Sequence, residues 1–144
     1  MNKSTRDQMN GLGKKQIPFL FVIDYQQQHP VILPLDSIKP EEILYSINDV
    51  TNVLDSKEPA KQLDFSFKPV DFKRYRKAFN LVQRHILHGN SFLLNLTMPS
   101  KVECNYTLKE IYTASQAKYK LWFKDQFVVY SPEIFIQTKG RKIS

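Results

Sequence analysis

The chain is poor in the residues that most often advertise a chemistry. Glycine occurs only at Gly11, Gly13, Gly89 and Gly140. No G-x-x-x-x-G-K-S/T and no G-x-G-x-x-G can be assembled from them, which excludes the glycine-rich phosphate loops. Cys104 is the single cysteine, so no internal disulfide can form. That fits a reducing, cytoplasmic compartment. The three histidines, His29, His85 and His88, stand in no nucleophile or metal spacing with Cys104. His85 and His88 lie three apart with no acidic or thiol partner beside them, so no metal ligands are assigned. No apolar run approaches the length of a membrane span. The run from Ile17 to Ile23 has no small-residue cleavage site after it, so it is not a secretory signal.

What is present describes an ordinary folded domain. The 144 residues are 42% hydrophobic and 24% charged, enough for a core. The formal charge of +7 admits an anionic partner. The basic residues are spread out, however, and the densest group, Lys73-Arg74 with Arg76-Lys77, falls on a helical stretch where a solvated face is the ordinary reading. Lys118, Lys120 and Lys124 interleave with aromatics in and around YKLWF (119–123). That pattern suits a single-stranded nucleic-acid platform, but it is also what a half-buried strand looks like.

Along the chain, residues 1–15 read as a flexible polar arm loosened by Gly11 and Gly13. IPFLFVIDY (17–25) reads as a buried strand, and PVILPL (30–35) as a second strand paired to it. Pro34 confines that strand to an edge or an end. EEILYSI (41–47) suits a strand or a short helix, 51–62 a loop, and 65–68 a short extended piece. The clearest helix runs from Val70 to His88. Phe72, Tyr75, Phe79, Val82 and Ile86 recur at three- and four-residue intervals and form one apolar stripe, expected to face a core. Asp71 is placed to cap its start and Gly89 to stop it. SFLLNLTM (91–98) reads as a strand. Leu108–Gln116 reads as a second helix, with Thr107 and Glu110 in a capping-box pattern. Strands follow at 119–123, 126–130 and 133–138, with a last one opening at 141–144. Mixed strands and two helices predict an α+β fold with mainly antiparallel sheets.

One carboxylate stands out. In VVYSPEIFI (128–136), Ser131-Pro132-Glu133 separates two short apolar runs. Pro132 cannot donate to a ladder, so a strand break is expected there. On its own Glu133 reads as a solvated turn residue. Desolvation between apolar flanks would raise its proton affinity and suit it to general-acid work.

The ordered set of motifs resembles the chorismate-utilising enzymes, in particular component I of aminodeoxychorismate (para-aminobenzoate) synthase. The residues that carry the resemblance are His88-Gly89-Asn90-Ser91-Phe92-Leu93-Leu94-Asn95-Leu96-Thr97, then Leu108 to Tyr112 as Leu-x-x-Ile-Tyr, then Ser131-Pro132-Glu133-Ile134-Phe135. The opening PFLFVIDY is similar to short forms of the enzyme. The resemblance implies that Glu133 is the general acid in loss or exchange of the chorismate 4-hydroxyl. It implies Mg²⁺ in the complete enzyme, and a glutamine amidotransferase subunit or domain that delivers ammonia. Two positions depart from the pattern. Leu93 stands where the family often carries a Gln near the ring under attack. Ser115-Gln116-Ala117-Lys118 replaces the Pro-rich loop of relatives that bind tryptophan.

In the family, a Pro-x-Lys/Ala-Gly-Thr strand follows Ser-Pro-Glu, and beyond it come the magnesium-binding carboxylates and the groups that hold the substrate carboxylates. Residues 16–144 are therefore expected to be an incomplete N-terminal portion of one chorismate-binding domain, with a C-terminal half as partner and little activity alone. The Lys or Ala of that strand separates aminodeoxychorismate synthase from the alternative, anthranilate synthase component I. A basic nucleic-acid-binding module is the remaining alternative, and neither nucleic acid nor membrane is the expected partner.

Overall fold

The computed structural model describes residues 3–54, 59–131, 138–140 and 142–143. The elements in chain order are α1 (Lys3–Lys14), β1 (Phe19–Val22), β2 (Val31–Pro34), a 3₁₀ turn (Leu35–Ser37), β3 (Ile43–Ile47), β4 (Val50–Thr51) and β5 (Phe65–Lys68), then α2 (Phe72–Leu87), β6 (Lys101–Cys104), α3 (Leu108–Ala114), β7 (Tyr119–Phe123), β8 (Phe127–Tyr130), β9 (Thr138–Lys139) and β10 (Lys142–Ile143). The chain divides into two compact units, Met1–Glu58 with Leu108–Ser144, and Pro59–Thr107. All described strand pairs are antiparallel. The α+β expectation therefore holds.

The first unit is built on a four-stranded sheet in the order β4-β3-β7-β8. β3 and β7 pair from Ile43↔Phe123 to Ile47↔Tyr119. Successive side chains of a strand point to opposite faces. On one face Ile43 and Tyr45 cluster with Leu20 and Ile38, joined by Leu33, Leu35, Leu121 and Phe123. On the other, Leu44 and Trp122 enclose Tyr112 of α3, with Val53, Leu108 and Val128 at the edge. The β1–β2 hairpin thus covers one face and α3 the other, so β3 is buried on both sides.

β4 is only two residues long, and Asn52 extends it. The Tyr45 N–H donates to Asn52 Oδ1 (3.0 Å), and Asn52 Nδ2 donates to the Ile43 carbonyl (2.8 Å). The amide side chain so continues the ladder along the edge of β3. The Thr51 hydroxyl adds a bond to the Tyr45 carbonyl (2.8 Å).

Three expectations are corrected. Residues 1–15 contain helix α1 in place of a flexible arm. The helix runs through Gly11 and Gly13, buries Thr5 and packs against β2. Tertiary contact outweighs the low helix propensity of its two glycines. It is also a third α-helix where two were expected. Second, 91–98 forms no strand, and Phe92 and Leu93 are 95% and 83% exposed. β-branched and apolar composition favours a strand only where a neighbouring strand offers its backbone, and here β6 begins later, at Lys101, opposite β5. Third, the apolar stripe of α2 is not core. Phe72 is 69% exposed, Phe79 is 42% exposed, and the helix contains no buried residue.

The ends of α2 are nevertheless those the sequence predicts. The Asp71 carboxylate accepts from the Arg74 N–H (2.9 Å). At the other end the Asn90 N–H bonds the His85 carbonyl and the Gly89 N–H bonds the Ile86 carbonyl, both at 2.9 Å. This is a Schellman cap, and Gly89 takes the φ of +74° that it needs.

Replacing Ile43 by Ala should cost the first unit about 2–5 kcal/mol, because the site is enclosed. Replacing Phe72 by Ala should cost no more than about 0.5 kcal/mol, as at other exposed positions. Urea denaturation followed by the fluorescence of Trp122, the sole tryptophan and part of the first unit's core, measures the first, and amide hydrogen exchange of α2 measures the second.

Candidate active site

β8 precedes Ser131-Pro132-Glu133 in the chain, so its end is the described structure next to the candidate acid in sequence. Its register against β7 runs from Phe123↔Phe127 to Lys120↔Tyr130. The Ser131 N–H adds one more bond, to the Tyr119 carbonyl (3.1 Å). Ser131 is therefore held at the end of the ladder. Pro132 to Gln137 lie outside the described residues, and Glu133 with them.

The wall beside this exit is made by α3 and the strand ends. The Tyr130 hydroxyl donates to the Ile111 carbonyl (2.8 Å) and so ties β8 to α3. Lys120 projects from β7 toward the C-terminal end of the same helix. Its Nζ donates to the carbonyls of Tyr112 (3.1 Å) and Ser115, and lies 4.6 Å from the centre of the Tyr112 ring. A cation at a helix C-terminus satisfies carbonyls that have no intrahelical partner. Burial lowers the Lys120 pKa from its ordinary value.

Tyr112 is 1% exposed, the most deeply buried large side chain described. Its hydroxyl and the Trp122 Nε1 are buried without a hydrogen-bond partner among the described residues. Burial, with a contribution from Tyr130, pushes Tyr112 up to about 12. Tyr130 is also raised by burial, against a hydrogen bond with Ser115 that lowers it. Both hydroxyls therefore stay protonated at neutral pH. The exit of β8 is thus bordered by neutral phenols and one tethered cation.

Other residues named from sequence lie elsewhere. Leu93 is exposed, in the second unit. Cys104 is half-buried, and its Sγ accepts from the Tyr106 N–H (3.3 Å). His88 bonds the Arg84 carbonyl, and His85 meets Asn90. Among the described residues no group of three or more His, Cys, Asp and Glu could hold a metal ion. No step is assigned to a metal. The aromatics of YKLWF do not form an open stacking platform: Trp122 is buried, Lys118 lies over Tyr119 and Lys120 over Tyr112. That Tyr112, Tyr130 and Lys120 meet around α3 was not visible from sequence. The nearest signal is the alternation within 119–130, which gives the faces of Lys120 and Tyr130 but not their neighbours.

Residues 14–144 match the family model described as chorismate binding enzyme. The chain belongs to that family. It is 39% identical over 137 residues to an uncharacterized PabA-like protein of Haemophilus influenzae, covering 95% of this chain and 42% of that protein. A PabA-like protein of Pasteurella multocida is 35% identical over 137 residues, covering 94% and 42%. The chain thus spans less than half the length of these curated relatives. No solved structure matches it.

The unpartnered Tyr112 hydroxyl supports a direct test. Removing a buried, unsatisfied group relieves a desolvation cost of about 1–3 kcal/mol, so Tyr112→Phe should leave stability at neutral pH unchanged or raised. The alkaline response should also change. The unfolded chain gives up this proton near 10.0 and the folded chain near 12. Stability should therefore fall as pH rises through that interval, because the unfolded state then binds fewer protons. The variant should show a shallower fall, with Tyr130 still contributing. Denaturant melts across the interval compare the two.

Proposed function

We propose that the chain is part of an aminodeoxychorismate synthase component I, which replaces the 4-hydroxyl of chorismate by an amino group. Chorismate and ammonia give 4-amino-4-deoxychorismate and water. Glu133 is the general acid: it protonates the departing 4-oxygen, and the incoming ammonia returns a proton to the site. The observation that carries this reading is the family match over residues 14–144, which includes Ser131-Pro132-Glu133. The anchoring of Ser131 to Tyr119 supports it, because an acid must be held within hydrogen-bond reach of the oxygen that leaves. Tyr112 and Tyr130 are neutral phenols of the same unit, and a carboxyl held close to them would be favoured in its protonated form.

Ammonia would come from a glutamine amidotransferase, and the product would feed 4-aminobenzoate and folate synthesis. The relatives' PabA-like names agree with this setting. A cytoplasmic location agrees with the single cysteine; no described helix is long and apolar enough to cross a membrane. The groups that bind Mg²⁺ and the substrate carboxylates would come from the family segment beyond these residues.

The isolated chain should therefore yield no product above background when incubated with chorismate, Mg²⁺ and ammonia. When it is assembled with the remainder of the enzyme, Glu133→Gln should lower kcat by about 10²–10⁴-fold, the span of a general acid's contribution. Chromatography against authentic 4-amino-4-deoxychorismate and anthranilate identifies the product. Anthranilate would replace this reading with the sister activity, and an undiminished Glu133→Gln rate would remove the assigned acid.

A further inference from the structure

Helix α1 is held in place by contact and by little else. It has twelve residues, a length at which an isolated helix is marginal in water. Met9 and Leu12 are its only large apolar residues, and Thr5 is its only buried one. Gly11 and Gly13 stand in helical backbone, where glycine costs more than any residue but proline. No atom of the surrounding fold lies within 4 Å of where a Cβ would stand at either glycine, so packing does not require them.

The end of the helix carries a cost as well. The Ile17 N–H bonds the Leu12 carbonyl and the Gln16 N–H bonds the Gly13 carbonyl, both at 3.0 Å. These are the two bonds of a Schellman cap, whose left-handed position glycine ordinarily fills. Here Gln16 fills it, at a φ of +56°. A residue with a Cβ takes that conformation only at a cost in free energy. A glycine that would adopt it freely stands three residues earlier, at Gly13. The sequence thus offers α1 two ends, the one observed at Gln16 and an earlier one at Gly13.

What α1 covers is separate from the core of the first unit. The helix packs against β2. Leu33 of that strand joins the cluster around Ile43 and Tyr45. Neighbouring residues of a strand point to opposite faces, so Ile32 and its cross-strand partner Phe21 belong to the other side of the hairpin. Ile32 is buried, yet among the described residues it joins neither core cluster. The contact of α1 with β2 accounts for that burial. The family match begins at Lys14, so nearly all of α1 precedes the matched residues.

We propose that α1 is a releasable strap over the outer side of the β1–β2 hairpin, hinged at residues 11–16. One helix end exchanges for the other: Gly13 takes the left-handed position, the last turn unwinds, and the segment before it lifts from β2. Opening bares Ile32 beside the already exposed Phe21 and leaves Leu20 and Leu33 in the core. The closed form is the one observed. The inference is independent of the reaction assigned to the chain.

Amide hydrogen exchange on the full chain, resolved by residue, tests it. The α1 amides should exchange roughly tenfold or more faster than those of β3, because they open without the rest of the unit. Asp7 to Lys14 should share one rate, as a segment that lifts together does. Gly13→Ala removes the earlier end and should slow that rate about fivefold, the difference between the two residues within a helix. Gln16→Gly eases the observed end and should slow it too. Gly11→Pro breaks the helix and should hold the strap open. The Ile32 methyls then become accessible to a soluble paramagnetic agent, while Trp122 fluorescence still reports a folded unit. Four outcomes would overturn the proposal: α1 exchanging no faster than β3, a gradient of rates along α1 that marks simple fraying, rates indifferent to Gly13→Ala, or loss of the folded unit in Gly11→Pro.

Discussion

The first unit depends on one strand. β3 is hydrogen-bonded on both edges, to β4 and to β7, and its residues Ile43, Leu44 and Tyr45 are buried in succession. A strand normally buries alternate residues. Consecutive burial requires cover on both faces, and the chain supplies it from distant places: the β1–β2 hairpin before the strand and α3 well after it. Asn52 completes the arrangement by continuing the edge where β4 ends. The first unit therefore closes around a single element with every direction occupied.

The second unit shows what happens without that closure. Its hydrogen bonds are well made. Asn105 accepts from the Asp64 N–H and donates to the Gln62 carbonyl, and the Tyr106 hydroxyl reaches Lys61. Hydrogen bonds exchanged against water contribute modestly, however, while apolar burial is the main driving term. The unit thus has local specification without the burial that ordinarily stabilises it. The exposed stripe on α2 is the clearest mark of that imbalance.

The candidate site shares this division. The first unit anchors Ser131 through a ladder bond and ties β8 to α3 through Tyr130. It contributes position and a sheltered, neutral border. It contributes no metal cluster among its described residues, and the cation it holds, Lys120, is engaged with carbonyls of its own chain. What the described residues supply at the candidate site is thus the positioned end of a strand.

Sequence alone determined what rests on local rules. The β1–β2 pair, the β7–β8 pair and α2 with its Asp71 cap and Gly89 stop were all legible, because turns, caps and periodicity act within a few residues. Tertiary structure decided the rest. Residues 1–15 carry polar and glycine-rich signals, yet contact with β2 makes most of them helix. SFLLNLTM has strand composition, yet no neighbouring backbone pairs with it. The stripe of α2 was correctly placed on one side of a helix, but whether that side is buried depends on which other residues reach it. Tyr112 and Lys120 meet for the same reason: periodicity fixes which way a side chain points, and only the fold determines what it meets.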